Sequence, residues 1–276
     1  MPALFVVATP IGNLEDITLR AVRVLKEVKL IAAEDTRQTK KLLARYDIRT
    51  PTTSYHQHNK LSKLDYILEH LKTEDVALVS DAGTPGISDP GFELIAAVHK
   101  AGIPIVPIPG PSVLVSALVA STLPTDSFTF LGFLPHRSAE RRRFLESAAG
   151  QPRTLVIFES PHRLRAALAD MRLILGDRRI TVCRELTKMH EEIFYGTIGE
   201  AESHFQSPRG EFTLVVEGQT PSGKPAPDER VERRLEIMLR SGTRAREAVA
   251  RVALDTGLSR KELYRDWLRL KKTALS

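Results

Sequence analysis

Three loops rich in glycine and proline are the residues most able to form a ligand site in this sequence. They lie at residues 9–13 (TPIGN), 80–91 (SDAGTPGISDPG) and 108–112 (IPGPS), each after an apolar run. Glycine lets a backbone approach a ligand closely, and proline holds such a loop in shape. No loop contains Gly-Lys-Ser/Thr, and no G-x-G-x-x-G follows the first apolar run, so a nucleotide-phosphate site is disfavoured.

Three charged segments carry groups that could move a proton or stabilise charge. They are AEDTR at residues 33–37, FESPHR at 158–163 and RELTKMHEE at 184–192. General acid–base catalysis uses carboxylate, imidazole or amine side chains of this kind. We expect the catalytic groups among Glu185, Lys188 and Glu159; the other candidates are Glu34, Asp35, Arg37, Arg163, His190 and Glu191. For each of them a structural salt bridge or a helix cap is the alternative role.

Other common catalytic and metal-binding patterns are missing from the sequence. The single cysteine, Cys183, excludes an internal disulfide and a cysteine zinc site, which fits a reducing cytoplasm. His190-Glu191 lacks the second histidine of a metalloprotease helix, and there is no G-x-S-x-G. His56 and His58 have no neighbouring carboxylate, so surface positions are the better interpretation. We therefore expect no metal site and no hydrolase.

The first 120 residues alternate short apolar strands with amphipathic helices. Strands are predicted at residues 4–8, 30–33, 52–55, 76–79 and 103–107, and helices at 36–46, 61–71 and 92–100. A further helix is predicted after the first loop, with Asp16 as its N-cap. Such alternation predicts a largely parallel α/β sheet, whose ligands bind at the carboxyl ends of the strands. The three loops lie at those ends.

The remaining residues divide into a second α/β domain, a linker and a helical segment. Residues 123–218 contain closely spaced late strands, which predict a mixed, partly antiparallel sheet. Residues 219–228 (QTPSGKPAPD) are rich in proline and glycine and predict a linker. Residues 229–276 predict three helices, the last two resembling a helix-turn-helix. We therefore place domains at residues 1–122, 123–218 and 229–276.

Positive charge is concentrated in the last part of the chain. Residues 230–276 hold 13 Lys or Arg and 6 Asp or Glu, whereas the whole chain carries a net charge of +6. Such asymmetry predicts a polyanionic partner, with a solvated basic helical face as the alternative. No run is long enough to span a bilayer, and the N-terminus lacks a secretory signal. Candidate nucleic-acid contacts are Arg37, Arg137, Arg141, Arg142, Arg143, Arg260, Lys261 and Arg265.

Seven segments of the chain resemble a known family. They are ATPIGNLEDITLRA, AEDTR, SDAGTPGISDPG, IPGPS, FESPHR, RELTKMHEE and RGEFTLVVEG. In this order they resemble the tetrapyrrole-methylase-like methyltransferases. Within that superfamily they are similar to the bacterial 16S ribosomal RNA cytidine 2′-O-methyltransferases. The resemblance covers essentially the whole chain and is weakest in the C-terminal helical segment.

This resemblance implies a fold, a cofactor and a substrate. It implies two α/β domains of the tetrapyrrole methylase type plus a small helix-turn-helix-like segment, with S-adenosylmethionine in the cleft between the domains, and a homodimer. The implied substrate is the ribose of a decoding-centre cytidine in 16S rRNA, within the 30S subunit in the cytoplasm. The implied donor-binding residues are Pro10, Gly12, Asp81, Gly83, Thr84, Ser112, Val113, Phe158 and Phe212.

Two other functions stay open at this point. The first is a porphyrinoid methyltransferase of corrin or sirohaem synthesis, which would share the fold but would not need a basic helical tail. The second is a non-catalytic RNA-binding assembly factor, which would not need the three loops. Neither the acceptor atom nor the proton acceptor follows from the residues themselves.

Overall fold

The computed structural model describes residues 1–56, 60–219, 229–241, 243–256 and 258–273. The chain forms two compact units, Met1–Gly218 and Gln219–Ser276. The first unit contains both β-sheets, and the second is helical. Most of the predicted linker and His58 lie outside the described residues.

The first sheet is parallel throughout, in the order β3-β2-β4-β1-β5. This confirms the prediction from the alternating strands and helices. The order brings β4, β1 and β5 side by side, so the three strands that precede the Gly/Pro-rich loops are neighbours. The strands are β1 (Leu4–Val7), β2 (Leu30–Ala33), β3 (Thr52–Ser54), β4 (Val76–Val79) and β5 (Ile105–Ile108).

Helices cover both faces of this sheet. The helices are α1 (Leu19–Glu27), α2 (Thr36–Arg45), α3 (Lys60–His70), α4 (Phe92–Lys100) and α5 (Val113–Ala120). Leu25 of α1 and Leu42 of α2 pack on one face, while Ile67 of α3 and Leu94 of α4 pack on the other. Removing this apolar surface from water is the main force that holds the layers together.

The first helix starts later than predicted. Asp16 lies in a short 3₁₀ turn, Leu14–Asp16, and is not the N-cap of α1. The cap is Thr18, whose hydroxyl accepts a hydrogen bond from the amide of Ala21 at 3.1 Å. The prediction was wrong because threonine caps a helix nearly as well as aspartate does, and the sequence offers both.

The second sheet is mixed, in the order β6-β7-β10-β8-β9. Only β6 and β7 run parallel, and the other three pairs are antiparallel, which confirms the predicted mixed sheet. Its strands are β6 (Phe128–Phe133), β7 (Thr154–Glu159), β8 (Arg179–Arg184), β9 (Glu192–Thr197) and β10 (Phe212–Val216). Its helices are α6 (Ser138–Ala149), α7 (Pro161–Leu175) and α8 (Ile198–His204).

A shared apolar cluster joins the two sheets. Ile11 and Leu118, from the first loop and α5, pack with Val156, Cys183 and Val215 of the second sheet. Burial raises the pKa of the Cys183 thiol to about 12, as befits a packing residue and not a nucleophile. Because the cluster is buried, it fixes the cleft at the carboxyl edge of the first sheet.

The second unit is a bundle of α9 (Glu229–Arg240), α10 (Ala245–Thr256) and α11 (Arg260–Thr273). Leu235, Val252, Leu263 and Trp267 form its core. The paired helices α10 and α11 confirm the predicted helical hairpin. Among the described helices, none has the length and apolar character needed to cross a bilayer.

Candidate functional site

The three Gly/Pro-rich loops meet at the carboxyl edge of the first sheet. Thr9 and Gly83 exchange two backbone hydrogen bonds, of 2.8 and 3.0 Å, so the first two loops are tied together. Gly83 has a φ of +75°, a conformation in which a side chain would be strained. In the third loop the hydroxyl of Ser112 caps α5 by accepting from the amide of Val115 at 3.5 Å. The loops therefore form one surface.

A cavity of about 480 Å³, here called the first chamber, lies between this surface and the second sheet. Its walls come from the second and third loops and from the ends of β7 and β10. Seven of the nine predicted donor-binding residues line it: Asp81, Gly83, Thr84, Ser112, Val113, Phe158 and Phe212. Its volume is within the range of small-ligand sites.

Of the five carboxylates that line the first chamber, those of Glu34, Asp81 and Asp89 come from the loops of the first sheet. Glu34 Oε2 accepts from the amide of Asp81 at 3.2 Å, and Asp81 Oδ1 accepts from the amide of Asp35 at 3.0 Å. Burial, with the nearby charge of Glu34, raises the pKa of Asp89 to about 7. Burial also raises the pKa of Glu34 and of Asp81. A bound cation would relieve this repulsion.

Asp89 and Phe133 are site residues that the sequence did not single out. Asp89 follows a serine and precedes a proline, a setting that equally suits a turn residue, so its sequence carries no distinguishing signal. Phe133 lies at the end of β6, and its ring centroid is 5.7 Å from that of Phe158. Both residues line the first chamber.

Glu159, a predicted catalytic residue, is buried in the wall of the first chamber. Its Oε1 lies 2.7 Å from the guanidinium of Arg163. Its Oε2 has no hydrogen-bond partner among the described residues. A buried polar atom without a partner is costly, so this oxygen is placed to accept from a ligand. The position suits ligand binding better than proton transfer to an acceptor molecule.

The other predicted catalytic residues, Glu185 and Lys188, form an ion-pair cluster with Glu211. Lys188 Nζ lies 3.0 Å from Glu185 Oε1 and 2.9 Å from Glu211 Oε2, and the amide of Glu211 donates to Glu185 Oε1 at 2.8 Å. Burial acts against both charges. The pKa of Glu185 nevertheless falls below its usual value, through the Glu211 amide and the Lys188 ammonium. The pKa of Lys188 rises through its two carboxylate partners, so Lys188 stays a cation at neutral pH.

Gly12 holds the first loop close to this cluster. A Cβ at Gly12 would lie 2.5 Å from Lys188 Cγ and 2.7 Å from Thr187 Oγ1. The amide of the next residue, Asn13, donates to Thr187 Oγ1 at 3.0 Å. The absence of a side chain at Gly12 therefore brings Lys188 to the first loop.

A second cavity, of about 350 Å³ and here called the second chamber, lies beside the first. The two chambers share Asp81, Ala82 and Glu211 as wall residues. The remaining wall of the second chamber comes from the first loop, including the predicted donor residues Pro10 and Gly12, from α2, and from Lys188. The two chambers are therefore adjacent.

The helical unit Gln219–Ser276 is here called the tail. The predicted RNA-contacting arginines outside it differ in exposure. The side chains of Arg37 and Arg137 are 88% and 85% exposed, and Arg143 is also exposed. Arg142 is half-exposed and pairs with Asp170 at 2.7 Å.

Arg141 is the exception, because its side chain is buried. It bonds to Asp170 at 2.6 Å and to the carbonyl of His136 at 3.2 Å. A buried guanidinium paired in this way holds α6 against α7 and has no surface to offer a phosphate. The sequence could not separate Arg141 from its neighbours, because three consecutive arginines on one helix differ only in which face they occupy. The prediction that Arg141 contacts RNA is therefore wrong.

The predicted RNA-contacting residues of the tail, Arg260, Lys261 and Arg265, are exposed on α11. Arg260 and Lys261 also line a groove of about 610 Å³ between α10 and α11, together with Arg246 and Tyr264. Cationic side chains beside an exposed aromatic ring suit a nucleic-acid backbone and its bases.

Residues 3–202 match the family model described as Tetrapyrrole (Corrin/Porphyrin) Methylases. Among curated proteins, the chain is similar to "Ribosomal RNA small subunit methyltransferase I" of Halalkalibacterium halodurans, with 48% identity over 95% of this chain and 93% of that one. The relative of the same name from Bacillus subtilis is 44% identical over 96% and 93% of the two chains. That from Thermotoga maritima is 48% identical, with 79% of this chain covering 100% of the relative.

Among solved structures, the chain is similar to "diphthine synthase" (TM-score 0.65, 12% identity, 80% of this chain and 91% of that one). It is also similar to the uroporphyrin-III C-methyltransferase of Thermus thermophilus complexed with S-adenosyl homocysteine (TM-score 0.57, 20% identity, 78% and 97%). At these identities the likeness shows a common fold.

The raised pKa of Asp89 predicts a stability change with pH. A carboxyl whose pKa is about 7 in the folded protein and near 3.8 in the unfolded chain destabilises the fold progressively as pH rises between those values. Asp89→Asn should therefore leave the free energy of unfolding nearly unchanged at pH 3.5 and raise it by about 1–2 kcal/mol at pH 8, after allowance for solvent screening. Urea unfolding of both proteins at the two pH values measures this. An equal effect of the substitution at both would contradict the assigned cause.

Proposed function

The chain belongs to the tetrapyrrole (corrin/porphyrin) methylase family, and its relatives include proteins named ribosomal RNA small subunit methyltransferase I. We therefore propose that it methylates small-subunit ribosomal RNA with S-adenosylmethionine as donor. The observation that carries this proposal is the pair of chambers with a common wall. The first chamber is rich in carboxylates, and the second has Lys41 and Lys188 in its wall together with Asp81 and Glu211.

The residues of the first chamber fit S-adenosylmethionine. The donor carries an ammonium and a sulfonium, which suit the carboxylates of Glu34, Asp81 and Asp89. The partnerless Oε2 of buried Glu159 can accept a further hydrogen bond. Phe158, together with Phe133, offers an apolar aromatic wall of the kind that holds a flat ring such as adenine.

The reaction asks for positioning more than for covalent chemistry by the protein. When bound, S-adenosylmethionine supplies a methyl group already activated on its sulfonium. A bond forms between the acceptor oxygen and the methyl carbon while the carbon–sulfur bond breaks and its electron pair returns to sulfur. The proton of the acceptor hydroxyl must pass to a base.

We assign that proton to Glu211. Its carboxylate is on the wall shared by both chambers and is exposed, whereas Glu185 is held in a tighter network with a lowered pKa. The ammonium of Lys188, 2.9 Å from Glu211, is placed to stabilise negative charge that develops on the acceptor oxygen. The acceptor we propose is the ribose 2′-hydroxyl of a decoding-centre cytidine in the 30S subunit. The proposed place of the reaction is the cytoplasm.

RNA is a better substrate proposal than a macrocycle. The relatives that carry a ribosomal name are 42–48% identical to the chain, whereas the solved macrocycle methyltransferases share only its fold. The basic tail also suits a polyanion, since cations on its surface gain by releasing counterions from phosphates. The intact loops and the shared wall of the chambers favour catalysis over a role as a non-catalytic binding factor.

A homodimer is the oligomeric state we propose. Helix α5 is apolar on all sides, and its Val115 and Val119 are 55% and 81% exposed. Tyr195 of β9, itself 53% exposed, donates to the carbonyl of Ala120 at 3.0 Å and extends this face. An exposed apolar patch of this kind is typical of a protein interface. Sedimentation equilibrium tests the proposal, which a mass of 30.7 kDa for the particle in solution would contradict.

The proposed activity predicts the fate of a labelled methyl group. Incubation with methyl-labelled donor and 30S subunits that lack the modification should label 16S RNA in the ribose of a cytidine, while uroporphyrinogen should stay unlabelled. Glu211→Gln keeps the shape of the side chain but cannot accept a proton, so it should lower the transfer rate about 100-fold. Nuclease digestion and chromatography locate the label. Label in the macrocycle alone, or in a base, would contradict the proposal.

The tail predicts a separation of RNA recognition from donor binding. The Thermotoga maritima relative is matched over its whole length by 79% of this chain. The first compact unit, Met1–Gly218, makes up the same fraction of the chain. A chain ending at Gly218 should therefore fold and keep its donor affinity, yet lose about tenfold or more in kcat/KM for 30S subunits, because phosphate contacts are gone. Calorimetry and label transfer measure the two quantities. A large fall in donor affinity would contradict this division of labour.

A further inference from the structure

The second chamber has the position and size for one nucleotide of the acceptor RNA. It shares Asp81, Ala82 and Glu211 with the first chamber, so a nucleotide bound in it would lie next to the proposed donor site. Its volume of about 350 Å³ admits a single nucleotide but no RNA duplex. Enzymes that modify a nucleotide commonly extrude it from its stack into such a pocket.

We propose that the second chamber receives one nucleotide extruded from the RNA, and that Gln38 and Lys41 of α2 recognise its base. The inference rests on the proposed function and names the substrate site within it. Gln38, Thr39 and Lys41 all line this chamber. Gln38 and Lys41 are exposed, so their polar atoms can reach a bound molecule.

The contact between Gln38 and Lys41 fixes which part of the amide a base would meet. Lys41 Nζ donates to Gln38 Oε1 at 2.7 Å. An ammonium has donors and no acceptor, so the carbonyl oxygen of Gln38 must be the atom turned toward Lys41. The NH₂ group of Gln38 is left as the available end of the side chain. The α2 wall of the chamber therefore offers hydrogen-bond donors.

Donors of this kind favour cytosine over uracil. On its pairing edge cytosine presents two neighbouring acceptors, N3 and O2, whereas uracil presents an N3–H donor between two carbonyl oxygens. An NH₂ group and an ammonium can therefore both donate to cytosine, but one of them faces a donor in uracil. A site that pairs its donors with the base of one nucleotide but leaves one of them unpaired with the other discriminates between the two.

Thr39 gives the same wall an unfilled polar position. The residue is 5% exposed, it lines the second chamber, and its Oγ1 has no hydrogen-bond partner among the described residues. Buried hydroxyls are nearly always paired in native proteins. The hydroxyl of Thr39, which lies between Gln38 and Lys41 in sequence, therefore suits a bound ligand as its hydrogen-bond partner.

Helix α2 supplies its own matched control for a test. Lys40 is exposed, like Lys41, and adjacent to it, but it does not line the chamber. Gln38→Glu keeps the size of the side chain and replaces the donating NH₂ by an acceptor. The new carboxylate lies three residues before Lys41, a spacing that favours the helix, so the variant should fold.

The test measures kcat/KM for methylation of unmodified 30S subunits and the donor affinity by calorimetry for five proteins: the wild type, Gln38→Glu, Gln38→Ala, Lys41→Ala and Lys40→Ala. Gln38→Glu and Lys41→Ala should lose about 10- to 100-fold in kcat/KM, as for loss of a specific base contact, with donor affinity unchanged. Lys40→Ala should behave as wild type. On subunits carrying uridine in place of cytidine at the methylated position, the wild type should have a lower kcat/KM. Gln38→Ala should reduce the ratio of kcat/KM between the cytidine and uridine substrates.

Each other outcome overturns the proposal. Equal losses for Lys40→Ala and Lys41→Ala would mean general charge attraction, and full activity of Gln38→Glu would mean that the base lies elsewhere. A parallel fall in donor affinity would assign this chamber to the donor. If the wild type transfers no label to RNA, the proposed function fails and the nucleotide pocket with it; if transfer is intact in Gln38→Glu, only the pocket fails.

Discussion

Burial raises the pKa of Glu34, Asp81 and Asp89, with a further contribution from neighbouring carboxylates, and the cleft is built around these three groups. Their repulsion is tolerated because backbone amides of the neighbouring loops bind two of them, and because the packed cluster between the sheets leaves the loops little freedom to separate. Strain of this kind is commonly stored where a ligand will relieve it. A donor that brings two positive groups meets this requirement.

The fold is shared with macrocycle methyltransferases, so substrate choice must come from what surrounds the donor site. Two features of this chain supply it. Gln38, Lys41 and Lys188 place hydrogen-bond donors in the second chamber, whereas the first chamber is lined by carboxylates. The tail adds exposed arginines and lysines on α11, which can attract phosphates.

The strands and the three Gly/Pro-rich loops could be predicted because their signals are local. Apolar runs gave β2 and β4 with the bounds that the structure has, and glycine with proline marked the three loops. Arg141, Asp89 and Gln38 could not be predicted because their roles depend on the face of a helix or on a neighbour distant in sequence. The pKa of Asp89 is raised by burial in the folded chain and by the charge of Glu34, which lies 55 residues away. Gln38 matters only because Lys41 turns its amide.

The central claim is that the carboxylates of the first chamber receive a cationic methyl donor, and calorimetric titration with S-adenosylmethionine tests it most directly. Asp81→Asn preserves the acceptor for the amide of Asp35 while removing the charge, and Asp126→Asn, at an exposed position that does not line the chamber, is the control. Asp81→Asn is expected to weaken binding about 10- to 100-fold, as for loss of a charge-assisted contact, with the control unchanged. Equal affinities of the wild type and Asp81→Asn would contradict the claim.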